Sequence, residues 1–181
     1  HAPMFHPALK TVGPIRKNLR VRTFFNLLGP VVNPSKPAYQ LIGVYNLEIA
    51  RLYNYLLQNQ DTKFAIIHSL DGYDEISLTS DVKVITPKGE KIYSPYDLAG
   101  KLIDPKEIEG GEKVEDAVKV FLSIIDGNGT EAQNAVVCSN AAMGLMLTDS
   151  YPDYQSAFDA AKDSLLGGKA KNALKKLLSL Q

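Results

Sequence analysis

Apolar and polar positions follow two different periods along this chain, and the changes of period mark its elements. Residues 40–45 (QLIGVY) form a short apolar run that reads as a buried strand. From Leu47 to Leu57 the spacing turns helical: Leu47, Ala50, Leu52, Tyr53, Leu56 and Leu57 are apolar, and Asn46 stands where an N-cap belongs. Residues 63–68 (KFAIIH) are a second apolar strand. Strand, helix and strand in this order predict a parallel pair joined by a right-handed crossover. Residues 81–85 and 90–93 then resemble a hairpin around Pro87-Lys88-Gly89. Helical patterns fill the rest. They cover Val114–Ile125, an Ala-rich stretch over 130–148, residues 155–166 ending at Gly167-Gly168, and a basic amphipathic stretch over 170–180.

The first 36 residues show no such regularity. Pro7, Pro14, Pro30 and Pro34, followed by Pro37, punctuate short helices and turns, because proline removes an amide donor and biases its predecessor toward extended backbone. Residues 24–28 (FFNLL) read as a buried apolar turn of helix ending at Gly29-Pro30. Helices outnumber strands. A sheet this small is expected to need neighbouring strands from elsewhere, so the chain reads as part of a larger α/β domain.

Composition narrows the class. A chain of 181 residues with 45% hydrophobic and 22% charged residues has the make-up of a soluble globular domain. No apolar run approaches the ~18 residues of a membrane helix, so no membrane partner is expected. The start, His1 to His6, lacks both an initiating Met and a signal-peptide pattern, and the chain is expected to begin mid-protein. Cys138 is the only cysteine, which excludes an internal disulfide and fits a reducing, cytoplasmic setting.

Charge changes the picture once more. The net charge is zero, yet residues 1–47 hold six basic residues and no Asp or Glu, leaving 14 basic and 20 acidic residues beyond. A basic end on a neutral chain points to a local anion site, or to a solvated basic surface, rather than to nucleic acid. Aromatic residues interleaved with basic ones, as nucleic-acid platforms require, are sparse.

Five clusters could carry chemistry. His6-Pro7 is followed by Arg16. The imidazole could serve as base, donor or stacking surface, or simply as a structural hydrogen-bonder. An Arg suits an aromatic carboxylate by bidentate contact, or a surface position. In Arg22 to Pro30, Gly29 permits close backbone approach and Pro30 fixes it, which also fits a buried connection. Asp74-Glu75 follows a strand end, where open α/β sheets place ligands. Adjacent carboxylates there suit Mg²⁺, which takes one or two carboxylates plus water and phosphate oxygens, though they suit a solvated turn as well. Gly127-Asn128-Gly129 reads as a turn between helices, and Asn140-Ala141-Ala142 as a tight helix contact. No nucleotide loop, zinc-protease motif or nucleophile elbow is present.

Taken in order, these segments resemble one family. APMFHPALKTVGPIRKNLRVRTFFNLLGPVVNP is similar to the signature block of anthranilate phosphoribosyltransferases, and QLIGVY, DGYDEIS and the stretch from Asn134 to Leu145 are similar to its later blocks. The resemblance implies an incomplete α/β domain of the nucleoside phosphorylase/phosphoribosyltransferase type. Its small, mixed, mainly parallel sheet would be flanked by helices over residues 1–181, with residues 1–36 as the substrate-pocket segment. It implies transfer of phosphoribose from 5-phosphoribosyl 1-diphosphate to anthranilate, with Mg²⁺ escorting the diphosphate, in a protein that is a homodimer at full length. By the same resemblance Arg16 binds the anthranilate carboxylate, His6, Gly29 and Pro30 line that pocket, and Asp74 and Glu75 hold Mg²⁺. One departure is Arg20, where the family has Gly after the Leu at Leu19. A larger one is that the family's GTGGD and KHGN segments would lie upstream of His1, so the chain alone is expected to be inactive. Two alternatives are a pyrimidine nucleoside phosphorylase-like enzyme, against which the HPALK…FNLLGP block argues, and a non-catalytic binding relative.

Overall fold

The computed structural model describes residues 7–19 and 24–180, apart from the side chains of Pro7, Ala8, Leu9, Arg16, Lys17, Leu19 and Phe25. Helix α1 (Pro7–Leu19) opens on a proline, where the missing N–H costs nothing, and runs through Pro14. A single 3₁₀ turn, Phe24–Asn26, follows. Then come β1 (Tyr39–Gly43), α2 (Leu47–Leu57), β2 (Lys63–Ser69), β3 (Val82–Thr86), β4 (Gly89–Tyr93), the short α3 (Pro95–Ala99) and a 3₁₀ turn, Pro105–Ile108. Helices α4 (Val114–Ile125), α5 (Glu131–Met146), α6 (Tyr154–Leu166) and α7 (Lys169–Leu178) complete the described chain.

The four strands form one mixed sheet in the order β1-β2-β3-β4. β1 and β2 are parallel, joined over α2 as the strand–helix–strand pattern predicts. The other two pairings are antiparallel, so the expected mainly parallel sheet is corrected to one with a single parallel pair among the described residues. Connection length accounts for the β3–β4 pair: only Pro87 and Lys88 separate the two strands, and a parallel pair needs a crossover of a dozen or more residues. The short helix α3 and the second 3₁₀ turn were not expected either. Each begins with a capping box and a proline, Ser94 with Asp97 and Asp104 with Glu107.

Side chains alternate across β2 and so build a core on each face. Phe64 and Ile66 point to one side, where Ala50, Tyr53 and Leu57 of α2 meet them together with Ile42 and Ile85. Leu27 and Val31 pack on the rim of that cluster, and the Tyr53 hydroxyl donates to Leu27 O at 2.6 Å. Ala65 and Ile67 point to the other side, against Val82, Val84, Ile76, Leu78 and the α5 residues Ala132, Ala135, Val136 and Met143. Register agrees with this division, since Ile66 pairs with Ile85 and Ile67 with Val84. Helix α5 is buried on several sides because its residues are small. Cys138 and its neighbours pack on Ala161 and Leu165 of α6. Phe24, expected to be buried, is 62% exposed.

The carboxylate loop and the candidate functional site

The parallel strands β1 and β2 end side by side at Gly43 and Ser69, and the segment after Ser69 turns back across both ends. The turn starts tightly. Ser69 N donates to Tyr73 O at 3.0 Å, and Gly72 N donates to Ser69 O at 2.9 Å with Gly72 in a positive-φ conformation that glycine adopts without strain. Leu70 N donates to Asp81 O at 2.8 Å and closes the neck of the loop. His68, buried at 6% exposure, stands just before the turn. Its Nδ1 lies 2.8 Å from Val44 O, and because a carbonyl only accepts, Nδ1 carries the proton.

The acidic pair comes next, seated against the end of β1. A Cβ added to Gly43 would lie 1.6 Å from Asp74 O, so the loop backbone occupies the space that a side chain there would need. Hydroxyl groups hold the loop from below. Ser69 Oγ donates to Glu75 O at 2.6 Å, and Ser77 N donates back to Ser69 Oγ at 3.3 Å. Thr79 Oγ1 donates to the Asp71 carboxylate, Ser77 Oγ donates to Ser69 Oγ at 3.2 Å, and the Ser77 and Thr79 hydroxyl oxygens lie 2.7 Å apart. From above, Asn140 of α5 grips Ile76. Its Oδ1 accepts from Ile76 N at 3.0 Å and its Nδ2 donates to Ile76 O at 2.9 Å.

Asp74 and Glu75 therefore rest on a fixed backbone while their side chains face solvent. Partial desolvation, and after it the neighbouring Asp74 charge, raise the Glu75 carboxyl above its ordinary value. A nearby cation would reverse both effects. Two adjacent carboxylates at a strand end thus fit a hard divalent ion that fills its other positions with water and phosphate oxygens. Among the described residues no three His, Cys, Asp or Glu side chains gather into a metal cage.

Gly29-Pro30 lies at the opposite end of β1. Gln40 Nε2 donates to Pro30 O at 2.7 Å, and Gln40 is three residues from Gly43, about 10 Å along the strand. Gly29 is exposed, has no positive φ, and a Cβ there would meet nothing within 4 Å, so among the described residues neither packing nor backbone conformation demands a glycine, and the expected buried connection does not hold at this residue. Arg16 is a residue of α1 whose side chain lies outside the described residues, as does all of His6. The described structure thus assembles the carboxylate pair and does not join it to Gly29 and Pro30.

Sequence reasoning missed three supporting parts. Gly43 could have been found, because a glycine inside a strand pattern signals close backbone approach. Asn140 was read as a packing residue, and Ser69, Ser77 and Thr79 carried no recognisable pattern. Gly127-Asn128-Gly129 is the expected turn, with Gly127 at positive φ and Asn128 N donating to Ser123 O at 2.8 Å.

Comparison with known proteins extends this picture. The family model described as "Glycosyl transferase family, a/b domain" matches residues 1–171. A protein of Flavobacterium johnsoniae named anthranilate phosphoribosyltransferase is 55% identical over 181 residues, covering 99% of this chain and 54% of that protein. One of the same name from Bacteroides thetaiotaomicron is 51% identical over 180 residues, with the same coverage. The chain spans about half the length of the curated relatives it matches. Among solved structures, anthranilate phosphoribosyltransferase from Thermus thermophilus superposes with a TM-score of 0.83 at 28% identity, over 96% of this chain and 52% of that one. The Saccharomyces cerevisiae enzyme, solved in complex with PRPP and Mg, superposes with a TM-score of 0.84 over 96% of this chain and 50% of its own; at 23% identity that likeness concerns the fold. The resemblance read from the sequence is borne out by these relatives. With a family model matched over nearly its whole length and the sheet-and-helix fold to go with it, the chain belongs to the glycosyl transferase family through its a/b domain.

Proposed function

We propose that the protein containing this chain transfers the phosphoribosyl group of 5-phosphoribosyl 1-diphosphate to the amino nitrogen of anthranilate, giving N-(5-phosphoribosyl)anthranilate and diphosphate, in tryptophan biosynthesis. The observation that carries the reading is 55% identity, over 99% of the chain, to a relative of that name. The C1–O bond to diphosphate breaks, a C1–N bond forms, and the amine loses a proton. An aromatic amine is a weak base that attacks without prior deprotonation, so no general base is assigned, and positioning supplies much of the rate.

Asp74 and Glu75 are the ligands for Mg²⁺, which would supply positive charge to the departing diphosphate oxygens. Arg16 holds the anthranilate carboxylate, with His6, Gly29 and Pro30 lining the same pocket. The reading also places the protein in the cytoplasm as a homodimer; among the described residues no helix is long and apolar enough to cross a membrane.

The test is loss of anthranilate fluorescence on adding donor and Mg²⁺ to the full gene product. Arg16→Ala is expected to raise the anthranilate KM about 10- to 100-fold, as loss of a charged hydrogen-bond pair does. Asp74→Asn is expected to act through Mg²⁺ dependence instead. No fluorescence loss in the unmodified protein, or thymidine phosphorolysis in its place, would overturn the reading.

A further inference from the structure

We infer that Asn140 is a positioning residue for the carboxylate pair, acting from α5 through the Glu75–Ile76 peptide; the inference rests on the assignment of Asp74 and Glu75 to Mg²⁺. The Asn140 side chain is fully used. Oδ1 takes the Ile76 N–H at 3.0 Å, one amide hydrogen goes to Ile76 O at 2.9 Å, and the other goes to Val136 O, also at 2.9 Å, within its own helix. Turning the amide over would set donor against donor and acceptor against two acceptors, so the three bonds fix its orientation. The Val136 bond aims the side chain, and the Ile76 bonds hold the loop as a neighbouring strand would.

The peptide that Asn140 holds begins at Glu75. Its N–H is bound by Asn140 and its carbonyl, Glu75 O, by Ser69 Oγ at 2.6 Å. One residue earlier, Asp74 O sits against Gly43. The backbone is therefore fixed on both sides of the pair. The carboxylates themselves have no hydrogen bond or ion pair among the described residues. Held backbone and uncommitted carboxylates together describe a cation site whose backbone is set before the ion arrives while the carboxylates stay free to meet it, and α5 supplies the holding residue from 64 positions further along the chain. Groups bonded directly to a metal-ligating side chain typically change metal affinity by about 10- to 100-fold when removed, and Asn140 acts one step further out, through the backbone.

The experiment titrates Mn²⁺, as a reporter for Mg²⁺, by electron paramagnetic resonance into the full gene product with diphosphate present. Backbone hydrogen exchange at Ile76 and the anthranilate KM are measured in parallel. Asn140→Leu, of similar volume, removes all three bonds. It is expected to weaken Mn²⁺ binding by up to about tenfold, to release the Ile76 amide to exchange, and to leave the anthranilate KM within about twofold, a split that general loosening of the fold would not produce. Asn140→Ser removes the same bonds without apolar bulk and serves if the leucine variant does not fold. Unchanged Mn²⁺ affinity in the Asn140 variants, with affinity lost in Asp74→Asn, would overturn the positioning role and leave the metal assignment standing. Unchanged affinity in Asp74→Asn would remove the metal assignment and this inference with it.

Discussion

Single residues decide how firmly the carboxylate loop is held, and two of them give direct tests. Gly43→Ala places a methyl group where Asp74 O now lies, so the loop or the end of β1 must move. Overpacking of this kind costs about 1–3 kcal/mol, and we expect a lowered melting temperature together with weakened metal binding. Glu75 offers a test by pH. Its carboxyl is raised in the folded state, first by desolvation and then by Asp74, so the folded chain binds that proton more tightly than the unfolded one. The stability linked to Glu75 is therefore complete below its unfolded value and declines as pH rises through the folded one. Without divalent cations, Glu75→Gln is expected to remove that decline. At neutral pH the variant should be slightly more stable, read as a raised midpoint in thermal melts. A fall in stability instead would mean that the carboxylate is already paired. Legibility at this scale followed distance along the chain. Asp74 and Glu75 could be picked out because a strand ends just before them. Asn140 could not, because its partner is 64 residues away and a polar residue on an Ala-rich helix has many ordinary explanations.

Elements were legible where their signals were local. Helix α2 has the expected bounds because periodicity and cap agree, with Asn46 Oδ1 accepting from Ile49 N at 2.9 Å. Asn46→Ala is expected to cost about 1 kcal/mol in chemical denaturation. The hairpin was equally plain from its turn. Strand direction was harder to read, because β2 is buried on both faces and such a run looks the same in parallel and antiparallel sheets. The 24–28 segment held only in part for a related reason: five apolar-rich residues suggest burial, and Leu27 does pack on the core, yet only a 3₁₀ turn forms and Phe24 is exposed. The junction of α5 and α6 carries the clearest titration. Tyr154 is partly buried beside Ser139, to whose carbonyl its hydroxyl donates at 3.3 Å, and desolvation pushes its pKa up from 10.0 to about 12. The folded state thus retains the phenol proton, and the associated stability is lost as pH rises from the unfolded value through the folded one. Tyr154→Phe is expected to unfold at higher pH than the unmodified chain in an alkaline titration followed by circular dichroism. An identical alkaline midpoint would show that Tyr154 ionises freely.

At the scale of the whole molecule the chain holds one supported part of a site. It covers 54% of its curated relatives, and the described residues assemble the acidic pair without bringing it to Gly29 and Pro30. We expect the 181-residue chain alone to bind the phosphoribosyl donor more weakly than micromolar and to leave anthranilate fluorescence unchanged; calorimetry and the fluorescence assay check both. What the chain does possess is a sheet whose spatial order repeats its order in sequence. Each strand pairs with the one made just before it, across intervals of 19, 12 and 2 residues from first pairing to last. Closing a loop costs entropy that grows only slowly with its length, so none of these steps is prohibitive and the two-residue hairpin is the cheapest. β3 and β4 are therefore expected to zip together first, with β2 adding to that edge and β1 arriving last with α2. Among the described residues each strand's partner is its neighbour in sequence, and the Asp74-Glu75 loop is expected to close when β3 finds β2, before the helix carrying Asn140 has been made.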